Sequence, residues 1–431
     1  DVDVEVMGPV MAPHLLVINA IVESGRLTVT LTGANCLEAA RVRALADHVA
    51  LGIREVIAHC ADPHSGGLSP ADFPMCKFPS AKFLQEQFGN GRQVEDCYPL
   101  IPLQQGLLSQ ILADPNNTVY NLHMVLDFTS GHAAGTFREA VRLLVRHTAT
   151  LRTGFVFDGA TGYVQVVYGA DYCEPAWNEY DITGELDEAA AFETILRDEL
   201  RKGFDLEKPP LMRCACVLTK RGWRVIWIFS HVLIDGWSSE LLIEDIALLA
   251  ADLTYTPTRP LFKSYVSFYN DLDIADLTTF WKATLSDFVE PTLLKMGRKP
   301  VERPRFVTKR ERRTIRAEPV QTFCHDSGVT LSLLVAAAWG LFLAKQANTE
   351  DVVFGVLSAG RAVPVSGVAQ MVGMLVHQVP LRLQVGEAQS KLHVREWLHS
   401  CQERYTQALQ NETLGLPAIR QCSGVPATEP L

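Results

Sequence analysis

Residues 223–239 read WRVIWIFSHVLIDGWSS. An apolar run breaks at Ser230-His231, and Asp235-Gly236 follows about one helical turn later. Histidine is the side chain whose ordinary pKa lies nearest neutrality, so His231 is placed to accept or donate a proton at cellular pH. Asp235 has two readings from spacing: it orients the imidazole, or it holds the loop by pairing with a distant arginine. Gly236 supplies turn chemistry, and Ser238 or Ser239 is suited to cap a following helix. The pattern His-x-x-x-Asp-Gly is common by chance. On spacing alone, a satisfied structural histidine competes with a catalytic one.

Other chemistries find less support. No Gly-x-Ser-x-Gly elbow marks a serine hydrolase, and no Gly-rich loop ending in Lys-Ser/Thr marks a phosphate site. A metal held by His231 and Asp235 lacks a third ligand at a sensible spacing.

The elements that must position His231 are strands and helices in mixed order. The stretch 223–230 reads as a buried strand ending at the histidine, preceded by a strand at 211–219 and followed by a helix at 238–252. Helices are expected at 136–151, 189–203, 329–347 and about 391–411, with strands at 351–359 and 374–385. Upstream, HLLVINAIV and RLTVTLTG flank Glu23-Ser24-Gly25 as a hairpin. An amphipathic helix follows over 36–60, with Leu37, Val42, Leu45, Val49, Ile53 and Ile57 near one stripe. ADPHSGGLSPADFP (61–74) reads as a linker. The fold class is mixed α/β or α+β.

Composition narrows the function classes. The chain has 431 residues, 48% hydrophobic and 20% charged, enough for more than one core. A net charge of −10 argues against nucleic acid as the main partner. The basic stretch RPRFVTKRERRTIR (303–316) reads as a solvated strand or loop face. The N-terminus lacks the pattern of a signal peptide, and the apolar run at 329–344 is short for a membrane span. Ten scattered cysteines, without zinc-site spacing, read as reduced and often buried thiols of a cytoplasmic protein. Cys214 and Cys216 are expected on one face of a strand.

Five collinear stretches add a resemblance. CYPLIPLQQGLL (97–108), RHTATLRTGF (146–155), SHVLIDGWS (230–238), DVVFGVLSAGR (351–361) and VGMLVHQVPLRL (372–383) resemble, in order, the motifs of condensation domains from nonribosomal peptide synthetases. That resemblance covers about residues 94–420 and implies an α+β sandwich type of fold. Two chloramphenicol-acetyltransferase-like lobes would form a V around an active-site tunnel. The implied reaction is amide formation between a donor thioester and an acceptor amine. Both would arrive on 4'-phosphopantetheine arms of upstream and downstream peptidyl carrier domains, beside an adenylation domain. The implied domain binds no cofactor or metal of its own and acts on neither nucleic acid nor membrane.

By the same resemblance His231 is the catalytic residue. Asp235 pairs with an arginine of the second lobe, Arg361 first and Arg152 second. Gly236 keeps the backbone close to the pantetheine path, and Trp237 favours condensation over epimerisation. Ser230 departs from the family's first motif histidine, and His377-Gln378 stands where Asn-Thr is common. Two other roles stay open: a noncatalytic docking or gating module, and an ester-forming or cyclising domain.

The expected organisation is a C-terminal tail of a preceding epimerisation or condensation-like domain at 1–60 and a linker at 61–93. A first lobe at 94–255 and an incomplete second lobe at 256–431 follow. An epimerising predecessor would imply a D-configured donor. The missing closing segment of the second lobe raises the idea that residues 1–60 dock there.

Overall fold

The computed structural model describes residues 2–3, 14–34, 36–62, 65–114, 119–160, 162–294, 311–386, 389, 391–426, 429 and 431. They divide into two compact units, one of Asp1–Asp72 with Phe78–Gln93, the other of Phe73–Lys77 with Val94–Leu431.

In the first unit, β1 (Val2–Asp3), β2 (Leu16–Glu23) and β3 (Arg26–Gly33) form a sheet in the order β1-β3-β2. The β2–β3 register pairs Glu23 with Arg26 across Ser24-Gly25, whose φ angles of 53° and 78° are what a two-residue hairpin turn demands. Helix α1 (Ala39–Ala61) lays Val42 and Ala46 on Val29 and Leu31 of β3. The expected linker is partly helical: α2 (Ala81–Phe88) starts at Ser80, whose side chain accepts from the Phe83 amide. The Arg92 guanidinium donates to the carbonyls of Asp62 and Ser65.

The second unit opens with β4 (Val94–Pro99), which takes in the first residues of the CYPLIPLQQGLL stretch. Next come α3 (Pro102–Ala113), β5 (Asn121–Phe128), α4 (Gly131–His147), β6 (Thr153–Phe157) and β7 (Tyr163–Tyr168). After these follow β8 (Ala176–Asp181), α5 (Glu188–Arg201), β9 (Met212–Thr219), β10 (Gly222–Ser230) and α6 (Gly236–Ala251). One sheet has the order β5-β10-β9-β8, with β8 parallel to β9 and the other pairs antiparallel; a second has the order β4-β7-β6.

Strand β10 is central and covered on both faces. Val225, Trp227 and Phe229 join the core with α4 and α6, while Ile226 and Ile228 join the one beneath α5. A strand buried on both faces reads as an unbroken apolar run, which is why 225–229 lacks alternation. Cys214 and Cys216 share the first of these cores, and Ala215 faces the second. All ten cysteines are free thiols and seven are buried. Burial pushes Cys173, Cys216 and Cys401 up to about 11, which keeps them protonated and inert.

The remainder holds α7 (Phe262–Asn270), α8 (Ile274–Leu285), α9 (Ala317–Ser327), α10 (Leu331–Ala347), β11 (Asp351–Ser358), β12 (His377–Gln384), α11 (Val394–Gln410) and α12 (Leu416–Gln421). β11 and β12 pair antiparallel. α10 packs Leu333, Ala337 and Leu343 into their shared core. Its cap is Thr330, and it ends at Asn348 in the left-handed region. The strand expected at 374–385 begins only at His377. Residues 303–310 of the basic stretch lie outside the described residues, while 311–316 are exposed and without regular structure. Among the described residues no single helix is long and apolar enough to cross a membrane.

Candidate active site

Two amides make the last bonds of β10 to its neighbours on either side. Ser230 N–H donates to Leu211 O at 2.9 Å, and His231 N–H donates to Tyr120 O at 2.8 Å. The chain then turns through Val232, Leu233 and Ile234, all in the core, before α6 begins. Gln104, fully buried, steadies this turn. Its Nε2 donates to Val232 O at 3.1 Å and to Gln165 Oε1 at 3.0 Å. Gln104 belongs to the CYPLIPLQQGLL stretch, so one glutamine ties that motif to the histidine loop.

His231 is half-buried and belongs to no core cluster. Its Nδ1 lies 2.9 Å from Ile234 O. A carbonyl only accepts, so Nδ1 carries the proton of the neutral ring and the Nε2 lone pair is left available. The orienting group is therefore a backbone carbonyl, and Asp235 does other work.

Asp235 is 2% exposed and performs three tasks. Its Oδ1 accepts from the Ser238 amide at 2.8 Å, which makes it the N-cap of α6. The expected caps, Ser238 and Ser239, are instead inside the helix. The Arg361 guanidinium donates to both Asp235 oxygens, at 2.9 and 3.1 Å. Oδ2 also accepts from Leu375 N–H at 3.0 Å. Arg361 lies nearly as deep, with its side chain 5% exposed. Arg152 lies elsewhere: it pairs with Glu95 at 2.5 Å and donates to Tyr168 O. Arg361, not Arg152, is the arginine that meets Asp235.

The segment 371–375 is drawn against this loop by a row of bonds. Ser238 Oγ donates to Gly373 O at 2.8 Å and accepts from Gly373 N–H at 3.0 Å. Asp235 N–H donates to Gly373 O at 3.2 Å, and Thr150 Oγ1 donates to Val372 O at 2.8 Å. Gly373 is required by space: a Cβ there would lie 2.3 Å from Phe262 Cδ2. None of Gln104, Thr150 or Gly373 was assigned a role from sequence, and Ser238 was read only as a helix cap. The signal lay in polar or glycine positions inside apolar motifs, but their partners are distant in the chain.

The remaining positions sort as follows. Gly236 meets no protein atom within 4 Å at a hypothetical Cβ, so the protein itself does not demand glycine there. Trp237 is half exposed; its Nε1 donates to Ala369 O at 2.9 Å, and Arg361 lies 5.4 Å from its ring centre. His377, which departs from the family's pattern, is 5% exposed and hydrogen-bonded to Tyr265 Oη at 2.6 Å. Burial lowers its pKa to about 4, so it is neutral at cellular pH. Ser230 is 1% exposed and lines a cleft. Among the described residues no group of three or more His, Cys, Asp or Glu is arranged to hold a metal ion.

With this geometry in hand, comparison with known proteins gives consistent matches. The family model described as condensation domain matches residues 94–431. A linear gramicidin synthase protein of Brevibacillus parabrevis is 31% identical over 421 residues, covering 94% of this chain and 5% of that protein. A second linear gramicidin synthase protein of the same organism is 30% identical, covering 96% and 8%. The chain thus spans a small fraction of the curated relatives it matches. Among solved structures, a starter condensation domain of rhizomide synthetase aligns with a TM-score of 0.63 at 19% identity, covering 78% of this chain and 77% of that one.

Proposed function

The chain belongs to the condensation-domain family of nonribosomal peptide synthetases, with the chloramphenicol-acetyltransferase-like fold of that family, and from this membership we propose that it forms amide bonds between carrier-bound thioesters. The observation that carries the reading is His231: a half-buried ring on a rigid strand end, with Nδ1 occupied and Nε2 available.

In the proposed reaction the acceptor amine attacks the donor thioester carbonyl, and Nε2 of His231 orients the amine and takes its proton. The tetrahedral intermediate then expels the donor's thiolate, which recovers a proton, and the new amide stays on the acceptor arm. A positioned base of this kind contributes about 10²–10⁴-fold. Holding two tethered substrates together supplies more. Asp235 has no part in proton transfer here. It fixes the start of α6 and the 371–375 segment, and so the loop on which His231 stands.

The test loads donor and acceptor carrier proteins and follows product by mass spectrometry. His231→Ala should lower the rate by about a hundredfold or more. Equal rates would overturn the catalytic assignment. A noncatalytic gating role is the second reading, favoured by Ser230 in place of the family's first histidine; a wild-type chain that binds loaded carriers yet makes no product would select it.

The 94% coverage of the first gramicidin synthase match reaches well upstream of residue 94. This supports reading residues 1–60 as the tail of a preceding domain in the same assembly line.

A further inference from the structure

A groove of ≈ 480 Å³ lies between α4 and α6 over β5, the edge strand of the four-stranded sheet. Its volume falls within the range of small-molecule pockets, about 300–1,000 Å³. Leu126 and Phe128 come from β5, Phe137 from α4, Ile243 and Ile246 from α6, and Trp227 from the neighbouring strand β10. His231 takes no part in the lining. On α6 the residues Ile243, Ile246, Ala247 and Ala250 stand three or four apart and so share one face. The two alanines are exposed, and their small side chains leave the groove open.

Two observations bear on what the groove receives. First, the wall is hydrocarbon apart from His132 and Thr136. His132 is exposed, and Thr136 Oγ1 already donates to His132 O at 3.1 Å. Among the described residues no carboxylate, lysine or arginine lines the groove, so an ion would shed its water there without gaining a counter-charge. Second, Trp227 is fully buried, and its indole N–H has no hydrogen-bond partner among the described residues. A buried indole N–H ordinarily finds an acceptor, and one left unpaired is costly. The group only donates, so whatever satisfies it must bring an acceptor. Water is a poor occupant, since it holds only where about two to four polar partners converge.

We propose that this groove binds a neutral, hydrocarbon-rich small molecule carrying one hydrogen-bond acceptor, such as a ketone, whose oxygen takes the Trp227 N–H. The proposal is independent of the amide-forming reading. Strand β10 and helix α6 lead into and out of the histidine loop, so the ligand sits on the two elements that position His231 without touching the reacting groups.

Benzophenone and diphenylmethane serve as probes, because they resemble each other in size and differ in the carbonyl oxygen. By calorimetry with the full chain, wild type should bind benzophenone about three- to tenfold tighter than diphenylmethane, the worth of one hydrogen bond. Trp227→Phe removes the N–H, keeps an aromatic ring and should erase that difference. Ala247→Trp, filling the groove from the exposed side of α6, should weaken both probes by about tenfold. Irradiation of bound benzophenone should label peptides spanning 132–137 or 243–250. Should Trp227→Phe fail to fold, the comparison of probes in wild type and the Ala247→Trp variant decide the matter. Absence of binding by wild type, equal affinities for the two probes, binding untouched by Ala247→Trp, or labelling confined to other peptides would each overturn the assignment. A wild-type dimer in sedimentation that Ala247→Trp dissociates would give the groove to a second copy of the chain and overturn it as well.

Discussion

Asp235 is the residue on which most of the local order converges. It is buried, charged and shared among an arginine, a helix start and an amide of a distant segment. Removing one partner of such a pair strands the other charge in a poorly solvated place, at a cost of about 3–5 kcal/mol. Asp235→Ala and Arg361→Ala should each destabilise by that order, and the double variant by clearly less than their sum, as read from denaturant midpoints. A folded, stable Asp235→Ala chain with slow turnover would instead point to direct catalysis. His377 yields a second expectation. Its folded pKa of about 4 lies below the ordinary 6.5, so the unfolded chain binds the extra proton first. Its contribution is present above pH 6.5 and is lost as pH falls toward 4, by on the order of 3 kcal/mol if the shift is fully expressed. His377→Asn should flatten that part of the stability profile. At this scale the sequence told which residues matter and, through the resemblance, that Asp235 meets Arg361, but not which backbone groups they touch. His231 and Asp235 could be singled out from type and spacing, whereas the Ile234 carbonyl that fixes the ring leaves no trace in side-chain identity.

Elements were legible wherever one face was buried and the other wet. Helix α4 and the β2–β3 hairpin follow from periodicity and turn residues, while β5, β7 and β8 went unread because no tight turn joins them to their partners. Burial on both faces hid the pleat of β10 but left its apolar run visible. The segment 371–375 shows what pattern reading misses. It resembles strand, yet hydrogen-bonds to the α6 start instead of continuing β12, because Asp235, Ser238 and Thr150 claim its amides and carbonyls. Gly373 permits that approach. Gly373→Ala should cost about 1–3 kcal/mol through the clash with Phe262, and Phe262→Leu should restore part of it, as judged by thermal melts.

At the scale of the whole chain, the first unit carries an uncovered apolar surface. Ile18 and Val22 pair with Leu31 and Leu27, so they share the face on which α1 lies, but α1 covers β3 and leaves them 51% and 74% exposed. Val56 and Ile57 of α1 are exposed as well. Exposed apolar side chains of this kind favour association where they gather on one face. Replacing Ile18 and Ile57 by lysine should reduce light scattering at high concentration while moving stability by no more than about 0.5 kcal/mol. The Gly- and Pro-rich composition of 61–74 reads as a linker, yet it gave no hint that helix α2 follows or that Phe78–Gln93 fold with the first unit.

The bonds from Asp235, Ser238 and Thr150 to residues 361 and 371–375 carry a lesson for anyone building hybrid synthetases. A crossover placed between positions 238 and 361 would marry a loop from one parent to a strap from another, and each bond would then depend on parents that never evolved together. Exchanges that keep both sides of this stitch from a single source should yield soluble chimeras more often than those that split it.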